Sequence, residues 1–119
     1  MNQTPDDRAF WQEMNELASS NPIIVDRPKG RAHPRCPDLI YPLDYGCLEN
    51  TSASDGGGID VWLGALGAKT LTGILCVFDK LKLEMEIKLL IACSREDINT
   101  IQQFHRDVFV LYIPNPTAN

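Results

Sequence analysis

The chain has 119 residues, an apolar fraction of 44%, a charged fraction of 23% and a net charge of -5. That length supports one domain, residues 1-119, with a modest core, and the composition is that of an ordinary globular protein. The acidic balance argues against a broad phosphate-backbone footprint, so no nucleic-acid partner is expected.

The polar, acidic start has no basic stretch leading into an apolar run, and no segment approaches the length of a membrane span. A cytoplasmic protein without membrane contact is expected. The four cysteines (Cys36, Cys47, Cys76, Cys93) lack CxxC spacing. They read as buried free thiols rather than as a disulfide framework.

In chain order, Thr4-Pro5-Asp6-Asp7 forms a helix start, with Thr4 as N-cap and Pro5 at the first helical position. Phe10, Trp11, Met14, Leu17 and Ala18 fall on one helical face, which predicts an amphipathic helix over 5-19. Ile23-Ile24-Val25 is β-branched and reads as a short strand. Residues 26-38 hold three prolines and four basic side chains, and predict an ordered loop that concentrates Lys29, Arg31 and Arg35.

Tyr41-Pro-Leu-Asp-Tyr-Gly46 and Asp55-Gly-Gly-Gly-Ile-Asp60 then place two tyrosines and a glycine-rich acidic turn within twenty residues. Segments 59-63, 71-78 and 85-92 read as strands. Ser94-Arg-Glu-Asp97 is a capping box with Asp in place of Glu, opening a helix to about Asp107. Residues 108-113 form a closing strand. The pattern predicts an α+β, mainly β fold: a small, highly curved barrel or sheet over 23-113 with an N-terminal and a C-terminal helix.

Carboxylates clustered near lysine and tyrosine suit hard divalent cations and phosphate oxygens. The glycine-rich turn reads equally well as a solubilising turn, and Asp79 to Glu84 as an exposed hairpin. Glu86 and Lys88 are two apart, so on a strand they share a face. That pairing fits either a plain ion pair or a metal ligand beside a phosphate ligand. His33 reads as structural or exposed, and His105 on the last helix as facing solvent.

Taken together these motifs resemble the soluble inorganic pyrophosphatases of the OB-like β-barrel family, over about residues 23-107. Ile23-Ile-Val-Asp-Arg-Pro-Lys-Gly30 resembles that family's first strand, and Tyr41 to Gly46 its Tyr-Pro-x-x-Tyr-Gly signature. Asp55 to Asp60 resembles Asp-Gly-Asp-Pro-x-Asp, while Asp79 and Glu86-Ile-Lys88 resemble its later acidic positions.

The resemblance implies Mg²⁺ held by Asp55, Asp60, Asp79 and Glu86. It implies catalytic roles for Asp55, Asp60 and Lys88, and phosphate contact by Tyr45, Lys88 and Lys29, with Arg31 and Arg35 as further cations. The implied reaction is hydrolysis of pyrophosphate or a related phosphoanhydride by a homo-oligomer. The alternative is a disarmed protein that binds phosphate compounds or a partner.

Several positions depart from the family pattern. Gly57 stands where the family has the acid that deprotonates the attacking water, Asp26 replaces a glutamate and Glu86 an aspartate. No β-hairpin carrying further phosphate ligands is visible between Pro37 and Tyr41, and the family's Tyr-Lys pair is missing around Phe104-His105-Arg106.

Overall fold

A computed structural model describes residues 7-118. The expected cap and first turn at Thr4, Pro5 and Asp6 lie outside the described residues. Helix α1 (Asp7–Ser20) turns its apolar stripe inward, burying Trp11 and Ala18. The strands are β1 (Ile23–Arg27), β2 (Ala32–His33), β3 (Cys36–Ile40), β4 (Asp44–Leu48), β5 (Asp60–Leu63), β6 (Leu71–Asp79), β7 (Glu84–Ile91) and β8 (Phe109–Pro114), with helix α2 (Arg95–Phe104) before the last. Two helices and a predominance of strand make an α+β fold.

Six strands form one sheet in the order β1-β4-β5-β7-β6-β8, so β1 and β8 are its edges. All pairings are antiparallel except β5 with β7, where Val61, Trp62 and Leu63 lie opposite Leu89, Leu90 and Ile91. Because strand side chains alternate, one face of this pair presents Val61, Leu89 and Ile91 to α1. The other presents Trp62 and Leu90 to Ile98 and Ile101 of α2 and to Tyr41. Trp62 has no exposed surface, and truncating so large a core side chain costs about 3–5 kcal/mol.

Gly46 shows how tightly β4 meets its neighbour: a Cβ there would lie 1.8 Å from the Ile24 carbonyl oxygen. Any side chain would push β1 away, so only glycine fits. The capping box at α2 is present. Ser94 accepts from the Asp97 amide at 3.0 Å, and the Asp97 carboxylate accepts from the Ser94 amide at 2.9 Å.

Several expectations need correction. Residues 26-38 are not all loop, because β2 and β3 form a separate two-stranded sheet pairing Ala32 with Ile40 and His33 with Cys36. The prolines permit it: Pro34 sits in the turn, and Pro37 lies in an exposed two-stranded ribbon where a missing amide donor is tolerated. A hairpin over 32-40 therefore precedes Tyr41. The tyrosine motif runs directly into a strand that alternation did not reveal, β4. Helix α2 stops at Phe104, three residues short of Asp107, where His105 and Arg106 turn back onto Ile101 and Gln103. The four cysteines are free, but only Cys93 is buried, and Cys36 is exposed.

Candidate active site

The charged half of β7 builds the site. Glu84, Glu86 and Lys88 share the face of Leu90, which is the α2 side of the sheet. Lys88 is 5% exposed, and an ammonium is held so deep only when its donors are matched. Its Nζ donates to the Tyr45 hydroxyl at 2.5 Å, to Asp60 Oδ2 at 3.2 Å and to Glu86 Oε2 at 3.1 Å. Tyr45 comes from β4, Asp60 from β5 and the other two from β7, so three strands converge on one nitrogen. The carboxylates differ in access, since the Asp60 side chain is 27% exposed and that of Glu86 42%.

Beside this cluster opens a cleft of about 330 Å³. Tyr41, Trp62 and Phe104 form its aromatic wall, with ring centroids 5.0 to 5.8 Å apart. His33 stacks on Tyr41 at 6.2 Å. Burial, and then the charge of Asp60, raise the Tyr45 pKa, so its hydroxyl stays protonated. His105 does not face solvent as expected. It is half-buried against the cleft and accepts the Trp62 indole N–H at 3.3 Å. Burial, and then Lys88, push its pKa down to about 4, so it is neutral near pH 7.

The structure thus brings together Tyr45, Asp60, Glu86 and Lys88; Tyr45, Glu86 and Lys88 line the cleft with Asp79, while Asp60 lines the neighbouring groove beside α1. Asp79 turns its Oδ1 to the amides of Leu81 and Lys82 at 3.0 and 3.1 Å. Asp55 is exposed and caps its own turn, accepting from the Gly57 amide at 2.9 Å. Gly56, at φ 93°, gives that turn its shape. Asp55 lines the groove between α1 and the sheet, which Asp60 and Glu86 also line. Lys29, Arg31 and Arg35 are exposed and do not line the cleft; the Lys29 amide is tied to Asp44 at 2.8 Å.

Sequence reasoning missed Lys82 and His105, which both line the cleft. Lys82 lay hidden in an acidic run read as a solvated hairpin. His105 carried no signal, because only the early end of α2 turns it inward.

No group of three or more histidine, cysteine or carboxylate side chains is placed to hold a metal ion among the described residues. Lys88 nonetheless acts as a stand-in ion: Asp60 and Glu86, on different strands, already converge on one cationic centre. Two such carboxylates suit a Mg²⁺ ion that keeps several waters or shares phosphate oxygens. The pair therefore fits a divalent cation, provided the ammonium moves aside.

Fold and cleft together define an α+β protein with a buried lysine–carboxylate cluster opening on an aromatic-walled cavity. The fold is shared with inorganic pyrophosphatases of known structure. The enzyme from Helicobacter pylori is similar with a TM-score of 0.53 at 17% identity, over 77% of this chain and 81% of that one. The enzyme from Coxiella burnetii is similar with a TM-score of 0.52 at 16% identity, over 77% and 82%. No protein-family model and no curated protein sequence matches the chain.

Proposed function

We propose that this chain hydrolyses inorganic pyrophosphate, or a related phosphoanhydride, slowly and with Mg²⁺, on an OB-like barrel left open between β1 and β8. The observation that carries the reading is the convergence of Tyr45, Asp60 and Glu86 on the Lys88 ammonium beside one cleft, on a fold that pyrophosphatases share. Asp60 and Glu86 would hold the cation, which when bound neutralises phosphate oxygens and lowers the pKa of the attacking water.

Tyr45 and Lys88 would present donors to the phosphate once released from their mutual cluster, and Lys82 adds positive charge at the cleft wall. The aromatic wall excludes water and so strengthens these contacts. Asp55 and Asp79 contribute only if they release their turn amides, each bond costing about 1 kcal/mol. Gly57 supplies no general base, which is the source of the low rate, since a positioned base contributes roughly 10²–10⁴-fold. Lys29, Arg31 and Arg35 contribute only long-range attraction for the anion.

Phosphate release from pyrophosphate, with and without Mg²⁺, tests the reading on wild type, Asp60→Asn and Gly57→Asp. Slow metal-dependent turnover is expected in wild type, to be lost in Asp60→Asn. Gly57→Asp is expected to raise the rate, because a Cβ at Gly57 meets only Asp55 Oδ1, at 3.5 Å. Silence in wild type with activity in Gly57→Asp would favour the second reading, a phosphate-compound binder disarmed at one position. That reading draws on Gly57 and on the full occupancy of the Lys88 donors. Silence from all three proteins would sink the hydrolase.

We further propose that the protein acts in the cytoplasm as a homo-oligomer. On the α1 side of the sheet, the rows Met85–Phe78–Phe109 and Ile87–Cys76–Leu111 lie in register, with Met85 and Ile87 lining the groove beside the helix. Met85, Ile87, Phe109 and Leu111 are 54 to 69% exposed. Edge strand β8 carries no charge to repel another strand. A second copy of β8, antiparallel about a two-fold axis near Leu111, suits this edge. The Val108 amide is already bonded to His105 and Pro114 has none, so Val110 and Tyr112 are left to pair outward.

A further inference from the structure

An ammonium has three donors, and in Lys88 all three are taken, by Tyr45, Asp60 and Glu86. None remains for a phosphate oxygen. The same ammonium lies between the two carboxylates that would hold a divalent cation, 3.2 Å from one and 3.1 Å from the other. Each ligand of the proposed reaction thus finds its partners engaged with one another.

We propose that Lys88 is an internal cation that closes this site at rest, so that divalent cation and phosphate bind cooperatively. The inference rests on the phosphate-binding reading above and adds the order built into the site. Glu86, the more exposed carboxylate, is the first that a cation from solvent meets. When Glu86 and Asp60 turn to such a cation, the ammonium loses its two charged partners and is repelled by the newcomer. Its flexible four-carbon stem carries it into the adjoining cleft, where its donors become available to an anion. Among the described residues, the other basic side chains lining that cleft are Lys82 and His33, with His105 neutral. An anion drawing Lys88 outward uncovers the carboxylates in return, so the coupling is reciprocal.

The test measures Mn²⁺ binding by the electron paramagnetic resonance signal of free Mn²⁺, with no phosphate present. Lys88→Met removes the competing charge at similar bulk, and is expected to bind Mn²⁺ at least tenfold more tightly than wild type. In wild type, Mn²⁺ is expected to raise the affinity for methylenediphosphonate, a non-hydrolysable probe read by calorimetry, at least tenfold. In Lys88→Met that enhancement should shrink severalfold. Mn²⁺ binding equal to or weaker than wild type, or an enhancement of the same size in both proteins, overturns the proposal.

Should Lys88→Met fail to fold, Lys88→Gln keeps two donors without the charge and carries the same expectation. Tighter Mn²⁺ binding in the variant, with no turnover in wild type, would sink the hydrolase and leave the Lys88 closure standing. Turnover with unchanged Mn²⁺ binding would do the reverse.

Discussion

His105 shows how one residue's chemistry follows from its surroundings. Its neutral imidazole accepts the indole N–H of Trp62, and burial, then Lys88, hold its pKa at about 4 against an ordinary 6.5. Between those values the unfolded chain binds the proton that the folded chain refuses. The contribution of His105 to stability is therefore complete above pH 6.5 and is lost as pH falls toward 4, by up to roughly 3 kcal/mol. Denaturant midpoints measured from pH 7 to pH 4 should fall across this window, and His105→Gln should flatten the slope. An unchanged slope in the variant would show that other groups carry the acid sensitivity. Cys93 makes a parallel case. Its thiol, buried and pushed up to about 12, is a core side chain and not a nucleophile.

At the scale of elements, α2 and β7 were legible for different reasons. The capping box was readable because Ser94 and Asp97 satisfy backbone groups only three residues away, which is local chemistry. Ser94→Ala should cost about 1 kcal/mol, visible as a lower thermal midpoint, and no loss of stability would show that the cap is dispensable. In β7 the alternation of Glu84, Glu86 and Lys88 with Met85 and Ile87 placed the charged face correctly. Hairpin β2–β3 was not legible, because three prolines and several charges outweigh its few apolar residues, and only pairing along an exposed ribbon makes it a strand pair. Asp55 and Asp79 look like ligands in sequence, yet each is drawn to its own turn amides. The cost of leaving those donors unpaired decides their orientation.

For the whole molecule, the uncovered apolar rows and the uncharged β8 edge lead to a measurable outcome. Light scattering on size-exclusion fractions should give at least twice the chain's 13.3 kDa, and Leu111→Lys should reduce it to the monomer mass. A wild-type monomer at micromolar concentration would reject self-association. No helix among the described residues is long and apolar enough to cross a membrane.

The amphipathic helix, most of the strands, the cap and the shared face of Glu86 and Lys88 were determined by the sequence alone. Each depends on periodicity or on contacts a few residues apart. The tertiary structure decided what met Lys88. Tyr45 lies 43 residues before it and Asp60 28, and no local pattern ties them to it. A buried ammonium gathers whichever oxygen atoms the sheet order brings within reach. That same demand left Lys29, Arg31 and Arg35 outside, because solvent satisfies an exposed cation and nothing draws it inward.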